Sequence, residues 1–422
     1  MIDIKVIREN PNRFKKAAAD KNIACDIDRL LDIDRQLADS RRQVQDIVTE
    51  KNKVGKSIPK MAQDQRQAAL AQLARMKEKE AGFEEQVKHL TPVFDEMMLQ
   101  VAQPADDDVP LGKDDTENIE IRQEGLVRTF DFEPKDHVQL GLSLDIIDIE
   151  RGVKLAGARN YFLKGDGAML HWAVLRFAVD LMVGRGYKPM AVPLLMKDEA
   201  MRGTGYYPGS EEQTYRMERD GLNLAGTAEV PLTAYRMEEI LSEEELPLKS
   251  VGLSSCFRRE AGAAGKDTYG LYRIHQFDKV EQVVICKNSP EESNRYHEEI
   301  LSNAEAVLQA LELPYRVVVV CTGDLGRGQA KKYDIETWMP SRGNYGETHS
   351  ASKFYEFQAR RMNLRYKDSA AKKNLFCHTL NNTVIASPRV LIPIMELYQN
   401  ADGSITVPKA LRPYMGGKEM IR

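Results

Sequence analysis

Two stretches near the start of the chain carry apolar residues at the spacing of a coiled coil. Apolar side chains occupy seven of nine a and d positions between residues 30 and 58, and eight of nine between residues 73 and 101. Gly55, Ser57 and Pro59 interrupt helix-friendly sequence between the two stretches. The pattern predicts two long helices that fold back as an antiparallel coiled coil, with a kink at Pro92 in the second helix.

From about residue 119 the pattern changes to short apolar segments mixed with amphipathic ones. Content of β-branched residues and partial alternation predict strands at 248–257, 271–277, 281–286 and 315–321. A helix is expected from Ser289, as N-cap, to about Leu311. Runs of neighbouring strands followed by helices indicate an α+β body built on an antiparallel sheet.

The segment 104–118 is acidic and rich in residues that break regular structure. It predicts a linker, so the expected organisation is an N-terminal helical domain at 1–103, an acidic linker at 104–118 and a larger domain at 119–422. The 422 residues are 42% apolar and 29% charged, close to an ordinary globular protein and far from a disordered one.

Cysteine usage and apolar runs indicate the compartment. The five cysteines form no CxxC pair, so neither a disulfide framework nor a zinc site is expected. The chain starts with an early acid and without an apolar signal region, and its longest apolar runs are too short for a bilayer. We therefore expect a reduced, cytoplasmic protein that does not use a membrane.

Charge is distributed unevenly along the chain, whose net charge is only −4. The segment 40–79 holds ten bases against four acids, which favours a local site for a phosphate backbone at the end of the hairpin. The alternative is that these charges only keep the coiled coil soluble. The candidate nucleic-acid contacts are Arg41, Arg42, Lys51, Lys53, Lys56, Arg75, Lys77 and Lys79.

Candidate nucleotide chemistry lies between two predicted strands. The chain has no GxxxxGK[ST] motif, but Arg258 and Glu260 end one strand, a glycine-rich loop follows at 261–270, and Arg273 precedes Phe277 by four residues. An arginine at a strand end can hold an α-phosphate, and a second arginine with an aromatic ring can clamp a purine. An ordinary hairpin with surface ion pairs remains the alternative.

This composite resembles motif 2 of class II aminoacyl-tRNA synthetases. The segment 167–193, an amphipathic stretch followed by Gly186-Tyr187 and Pro193, resembles motif 1 of that class, which lies at a dimer interface. Arg389, which opens the apolar stretch 390–399, resembles the motif 3 arginine. The glycines usual before that arginine are replaced here by Ala386-Ser387-Pro388.

Flanking segments narrow the resemblance to the seryl-tRNA synthetase family. GTAEVPL at 226–232, FQARRMNLRY at 357–366 and LRPYMG at 411–416 are similar to that family, and NNT at 381–383 with Pro388 resembles a known variant of it. The resemblance implies an N-terminal antiparallel two-helix coiled-coil arm that binds tRNA, followed by a class II synthetase body on an antiparallel β-sheet flanked by helices.

The same resemblance implies a two-step reaction. L-serine and ATP would form seryl-adenylate, and the seryl group would pass to the 3′ end of tRNA(Ser), and also of tRNA(Sec). A homodimer through motif 1 and Mg²⁺, held by Glu347 and Ser350, are expected. Hard oxygen ligands such as these suit Mg²⁺.

By resemblance, Arg258 contacts the α-phosphate and the serine carboxylate, Glu260 the adenine amino group, and Arg389 the γ-phosphate, while Phe277 stacks on the base. The implied serine-binding residues are Thr227, Ala228, Glu229, Arg258, Glu281, Asn381 and Thr383. The implied ATP-binding residues are Arg258, Arg259, Glu260, Arg273, Ile274, Phe277, Glu347, Thr348, His349, Ser350 and Arg389.

Alternatives stay open at this level. Thr227 is also a plausible helix cap, Glu281 an edge-strand charge and Asn381 part of a turn. Related ligases load an amino acid onto a carrier protein, but such relatives lack the arm. A non-catalytic paralogue would be expected to have lost Arg258, Glu260, Glu281 or Arg389, and all four are present.

Overall fold

A computed structural model describes residues 1–261 and 268–422 of the chain. Residues 262–267, which form most of the glycine-rich loop noted in the sequence, lie outside the described residues. The chain divides into two compact units: Ile2–Ala102 form one, and Gln103–Arg422 with Met1 form the other.

The smaller unit is entirely helical in its regular structure, and its two long helices form the predicted hairpin. Ser40 in one helix bonds Gln86 in the other, and Lys51 pairs with Glu80. Partners that rise in one helix as they fall in the other define an antiparallel pair. The helices are α1 (Ile4–Glu9), α2 (Pro11–Asp20), α3 (Ile27–Ser57) and α4 (Gln63–Gln100).

The seam between α3 and α4 follows the predicted heptads. The a and d side chains are buried or half-buried, whereas the positions between them are mostly exposed. Both polar exceptions in the first register have partners across the seam: the Ser40 hydroxyl donates to Gln86 at 3.1 Å, and the Lys51 ammonium pairs with Glu80. Helix α4 continues through Pro92 to Gln100, so the proline does not end it.

The larger unit mixes helices and strands, as expected for an α+β body. Its helices are α5 (His137–Ser143), α6 (Ile149–Ala156), α7 (Asp166–Gly184), α8 (Asp198–Thr204), α9 (Glu229–Ala234), α10 (Pro290–Ala310), α11 (Phe357–Arg361) and α12 (Leu391–Leu397). Its strands are β1 (Ile119–Glu124), β2 (Ile147–Asp148), β3 (Phe162–Leu163), β4 (Lys188–Met190), β5 (Leu195–Lys197), β6 (Arg216–Met217), β7 (Leu222–Leu224), β8 (Ile240–Ser242), β9 (Leu248–Phe257), β10 (Gln276–Cys286), β11 (Tyr315–Val319), β12 (Lys331–Met339), β13 (Asn344–Tyr355), β14 (Arg365–Asp368), β15 (Lys373–Phe376), β16 (His378–Ser387), β17 (Ile405–Thr406) and β18 (Met420–Ile421).

Within the described residues, eight strands form the main sheet in the order β1-β11-β12-β13-β16-β10-β9-β4. Its pairs are antiparallel except for the parallel pair of β4 with β9. The predicted antiparallel sheet is therefore confirmed, with one short parallel strand added at its edge.

Strand β10 corrects one sequence expectation. Separate strands were expected at 271–277 and 281–286, but β10 runs without a break from Gln276 to Cys286. The gap between the two expected strands includes the polar residues Asp278 and Lys279. In the structure both pair in register with β9 and β16; the Asp278 carboxylate hydrogen-bonds His171, and Lys279 forms an ion pair with Glu281.

One side of the sheet is covered by α7 and α10, which supply much of the main hydrophobic core. Ser289 accepts the Glu292 N–H at 3.2 Å and so caps α10 as predicted. Helix α7 is long and apolar enough to cross a membrane by length and composition. Eight of its 19 residues are buried, and six of these pack in this core, which accounts for its apolar composition.

The acidic segment after residue 103 is held against the sheet by two lysines. Asp106 pairs with Lys353 at 2.5 Å and accepts the Tyr355 hydroxyl at 3.0 Å, while Asp108 pairs with Lys331 at 2.5 Å. The Lys353 side chain is only 2% exposed. A buried ammonium depends on such a counter-charge, because its hydration has been lost.

Replacing Asp106 with alanine should therefore leave Lys353 buried and underneutralised. We expect the Asp106→Ala variant to lower the free energy of unfolding of this unit by about 3 kcal/mol. Denaturant unfolding of the full chain measures the change. Asp107→Ala, at the exposed neighbouring acid, is the matched control and should change stability by less than about 0.5 kcal/mol. Equal effects of the two variants would refute the role of the buried pair.

Candidate active site

A cavity of about 220 Å³ opens on the sheet between β9, β10, β13 and β16. Along β10, Phe277, Lys279 and Glu281 line it, whereas Asp278 and Val280 face α7 and the core. Four bases and four acids are among its walls, so the cavity is strongly polar. Its lining residues are Tyr206, Glu229, Arg258, Glu260, Leu271, Tyr272, Arg273, Ile274, Phe277, Lys279, Glu281, Gln329, Glu347, Thr348, Ser350, Ser352, Asn381, Thr383, Ala386 and Arg389.

The residues of the motif 2 resemblance meet at one end of the cavity. Arg273 and Glu260 form an ion pair at 3.3 Å, although 13 residues separate them. The guanidinium of Arg258 lies 5.2 Å from the centre of the Phe277 ring. Arginine and aromatic ring are thus brought together as expected, but the arginine over Phe277 is Arg258 and not Arg273. This end can hold an aromatic base beside fixed positive charge.

Glu260 is held in an unusual backbone conformation. Its φ angle is +49°, in the left-handed region that a glutamate rarely adopts. The Arg159 guanidinium donates to the Glu260 carbonyl at 2.9 Å, and Arg273 contacts its carboxylate. Contacts on both sides of the residue therefore fix where the Glu260 side chain enters the cavity.

Two buried carboxylates, Glu229 and Glu281, lie at the other end. Thr227 connects them, since its hydroxyl donates to Glu281 at 3.3 Å and accepts the Glu229 N–H at 3.2 Å. Thr227 and Glu229, two positions apart, would point to the same face only if their segment were extended. Instead, Glu229 is the first residue of α9 and Ala228 is its N-cap, because the apolar residues after Glu229 pack as a helix. Thr227 and Ala228 lie behind the cavity wall.

Lys279 is a site residue that sequence reasoning missed. Its ammonium forms an ion pair with Glu281 and lies 3.4 Å from the Thr383 hydroxyl, which in turn lies 3.4 Å from Glu281. Its position could have been predicted from the sequence, because residues 277, 279 and 281 lie on one face of a continuous strand. The prediction of two separate strands hid this alternation.

The two carboxylates differ in environment. Burial raises the pKa of Glu229 to about 7, and the negative charge of Glu281 acts in the same direction. Gln358 donates to the Glu229 carboxylate at 2.8 Å and opposes the shift only in part. Glu281 is the carboxylate with a direct ammonium partner. The cavity therefore holds one carboxylate that is paired with an ammonium, Glu281, and one that would be stabilised by an added cation, Glu229.

Arg389 lies on the β13 side. It donates to the Tyr272 carbonyl and to the Glu347 carbonyl, each at 3.0 Å, and its guanidinium lies 4.4 Å from the Tyr272 ring centre. These contacts fix the plane of the guanidinium next to the Glu347 carboxylate, 3.9 Å away. Ser350, from the same strand as Glu347, also lines the cavity.

Two of the expected ATP residues lie outside the lining. Arg259 donates to the Thr214 carbonyl and stacks on Tyr215, and His349 is buried with its Nδ1 2.8 Å from the Thr348 hydroxyl. Six other lining residues were not named from the sequence as site residues; three of them (Leu271, Tyr272 and Ala386) lie inside the motif 2 and motif 3 segments, and three come from segments without a recognisable motif. The six residues are Tyr206, Leu271, Tyr272, Gln329, Ser352 and Ala386.

The expected tRNA contacts on the helical hairpin are mostly exposed. Lys51 is half-buried in the seam and paired with Glu80. Arg42 pairs with Asp39 at 3.0 Å and Lys53 with Glu50 at 3.6 Å, both within one helix and open to solvent. The exposed members of the set are Arg41, Arg42, Lys53, Lys56, Arg75, Lys77 and Lys79.

Comparison with known protein families identifies the class of protein to which this fold belongs. Residues 214–398 match the family model of the tRNA synthetase class II core domain (G, H, P, S and T). The fold is that of a class II aminoacyl-tRNA synthetase. Residues 1–103 match a second family model, the seryl-tRNA synthetase N-terminal domain.

Full-length relatives narrow the class to a family. The chain is 46% identical to the serine–tRNA ligase of Deinococcus radiodurans, covering 100% of this chain and 99% of that protein. It is 41% identical to the enzyme of that name from Rubrobacter xylanophilus, covering 99% and 98%. The chain belongs to the seryl-tRNA synthetase family, whose members are ligases that form aminoacyl-tRNA.

Solved structures agree. The chain matches seryl-tRNA synthetase from Pyrococcus horikoshii complexed with ATP, with a TM-score of 0.94 and 36% identity over 100% of this chain and 99% of that one. It also matches the cytoplasmic serine–tRNA ligase of Naegleria fowleri in complex with AMP, with a TM-score of 0.88 and 30% identity at the same coverage.

The raised pKa of Glu229 predicts a pH-dependent stability. Below pH 7 the folded chain keeps this carboxyl protonated while the unfolded chain ionises it, so the free energy of unfolding falls as pH rises from about 4.5 to 7. Glu229→Gln removes this loss. The variant's stability relative to wild type should increase by about 2.5 kcal/mol between pH 5 and pH 8.

Urea unfolding at several pH values measures the difference. Glu244→Gln, at an exposed glutamate, is the control and should give a constant difference from wild type. A constant difference for Glu229→Gln as well would show that Glu229 does not titrate in this range.

Proposed function

We propose that this chain is a serine–tRNA ligase that activates L-serine with ATP and transfers it to the 3′ end of tRNA(Ser) in two steps. One observation carries the proposal: a buried carboxylate pair, Glu229 and Glu281, lies in the same cavity as four basic side chains. An amino acid presents an ammonium to carboxylates and a carboxylate to cations, and ATP adds phosphates to the cationic part. Full-length relatives named serine–tRNA ligase support the choice of substrate.

The nucleotide would occupy the end with Phe277. In this proposal Phe277 stacks on adenine, Glu260 accepts from its amino group, and Arg258 and Arg389 contact the α- and γ-phosphates. Arg273, paired with Glu260, contacts phosphate at the same end. The ATP and AMP bound by relatives of the same fold support a nucleotide here.

Serine would occupy the other end. The ammonium of serine pairs with Glu229, whose pKa is raised to about 7 by burial and by the charge of Glu281. The serine hydroxyl is bonded by Glu281 and Thr383 with Asn381. Among the described residues, Asn381 Nδ2 is buried without a hydrogen-bond partner, as expected of a group reserved for ligand. A site built around a hydroxyl rejects alanine strongly.

The first step forms a bond between a serine carboxylate oxygen and the α-phosphorus while the bond to pyrophosphate breaks. The chain's contribution is to align the two reactants and to neutralise charge as it develops. Arg258, between the serine and nucleotide ends, is the group that contacts both. In the second step the 3′-terminal adenosine of tRNA takes the seryl group, and AMP leaves.

Mg²⁺ fits the Glu347 side of the cavity. Glu347 and Ser350 present oxygen atoms to the cavity, and the nearby Asp334 carboxylate has a buried Oδ1 without a partner among the described residues. Burial and the charge of Glu347 raise the pKa of Asp334, and the ion pair with Lys332 at 3.0 Å opposes that shift. In this proposal Glu347 and Ser350 hold the ion, which would neutralise phosphate charge when bound.

The same proposal assigns a role to each domain. Residues 1–103 bind tRNA through the exposed arginine and lysine side chains of the hairpin. Residues 104–118 link this domain to the catalytic domain, residues 119–422. An arm that recognises the shape and the phosphate backbone of a tRNA, and not its base sequence, also fits tRNA(Sec).

A homodimer would form through α7. The side of this helix that carries Trp172 is apolar and exposed, together with Met169 and Val183. We propose a cytoplasmic location and no role for a membrane.

The experiment for the first step is ATP–pyrophosphate exchange with purified protein and Mg²⁺, without tRNA. Serine, threonine, alanine, cysteine and glycine are compared. Serine should exceed alanine by about 10⁴-fold in kcat/KM, because alanine leaves buried polar groups unpaired, and threonine should be rejected less strongly. Exchange driven best by another amino acid would contradict the proposal, as would no exchange from folded protein.

Deleting residues 40–79 tests the arm. The shortened hairpin should retain exchange within about twofold, while serylation of tRNA(Ser) falls more than about 100-fold because the phosphate contacts are lost. A variant with Arg75, Lys77 and Lys79 changed to glutamine keeps both helices, and it should weaken charging and its salt dependence. Loss of exchange together with charging would show that the arm is not separable from activation.

A further inference from the structure

A buried histidine on α7 connects the ends of two strands that carry nucleotide-site residues. The His171 side chain is 9% exposed and lies outside the cavity lining. Its Nε2 is 3.0 Å from Asp278 Oδ2 on β10, and its Nδ1 is 2.8 Å from the Ser387 hydroxyl on β16. Asp278 also accepts from Ser255 on β9 at 2.6 Å. Three strands and one helix are therefore linked through this pair.

Both ring nitrogens of His171 have a hydrogen-bond partner. In the tautomer that carries the proton on Nε2, Nε2–H donates to the Asp278 carboxylate and Nδ1 accepts the Ser387 hydroxyl proton. The hydrogen bond from His171 lowers the pKa of Asp278, so the carboxylate stays ionised and strengthens the bond. Each polar group at this junction has a partner, which makes the junction stiff.

Serine, histidine and aspartate in contact also make up the nucleophilic triad of many hydrolases. Here Ser387 has no solvent-exposed surface, so its hydroxyl cannot reach a substrate. The three groups can only hold the backbone segments to which they belong.

Those segments lead directly into the cavity. Asp278 follows Phe277, and Ser387 precedes Pro388 and Arg389. Asp278 and Ser387 face each other in the last pair of the β10–β16 ladder at this end. Beyond them β10 remains paired with β9 through Phe277 and Gln276 but no longer with β16, so the His171 hydrogen bonds are a side-chain link between the ends of β10 and β16.

We propose that His171 is a positioning residue that holds Phe277 and Arg389 at the spacing ATP requires, and so sets the affinity for ATP. The inference rests on the proposed function. It predicts a selective effect, because Glu281 lies three residues further into a ladder that is paired on both sides. Loosening the end should therefore weaken ATP binding and leave serine binding in place.

The test compares His171→Phe, which keeps the ring volume without either hydrogen bond, with His171→Gln, whose amide retains a donor and an acceptor. His378→Phe is the matched control, since His378 is buried at the opposite end of β16 and bonds Ser293 at 2.7 Å. KM for ATP and for serine are measured by exchange, and the Kd for ATP is measured by calorimetry without serine.

His171→Phe should raise the KM and Kd for ATP about tenfold and change the serine KM by less than about twofold, and His171→Gln should restore most of the affinity. A rise in both KM values, an equal effect of His378→Phe, or no rescue by glutamine would overturn the proposal. Should His171→Phe not fold, Ser387→Ala removes one bond and should raise the Kd for ATP alone. Absence of exchange in wild type with intact ATP binding would instead count against the proposed function.

Discussion

The structure depends on the burial of opposite charges on one side of an antiparallel sheet. Glu229, Glu281 and Lys279 lose most of their hydration in the cavity wall, and the half-buried Arg258 lies in the same wall. Burial of a single charged group destabilises the folded state. The desolvation penalty is offset only when groups of opposite charge are held at fixed distances. Strand β10 provides that rigidity because it is hydrogen-bonded on both sides along most of its length.

The rest of the larger unit supports that arrangement. Helices α7 and α10 cover the opposite side of the sheet with an apolar core, so the strands have little freedom to shift. Because the apolar core lies on that side, the other side of the sheet can carry the polar side chains that line the cavity. A site whose charges are fixed before substrate arrives needs little reorganisation during the reaction, and the proposed adenylation depends on such fixed charges.

Sequence reasoning succeeded where the signal is local or periodic. The heptads located the helical hairpin, and Arg258, Glu260 and Phe277 were found because they lie close together in the chain. It failed where contacts are distant. Tyr206 reaches the cavity from a segment without a motif, and His171 contacts residues 107 and 216 positions away. Thr227 and Glu229 would share a face only in an extended segment, and helix packing decides the geometry there instead.

Calorimetric titration with two stable adenylate analogues, seryl-sulfamoyl-adenosine and alanyl-sulfamoyl-adenosine, tests the central claim most directly. The two ligands differ by one hydroxyl, and neither requires tRNA, turnover or the arm. If the buried carboxylates and Asn381 form a site for serine, the seryl analogue should bind at least about 10³-fold more tightly, because the alanyl analogue leaves those groups unpaired. Equal affinities would contradict the account.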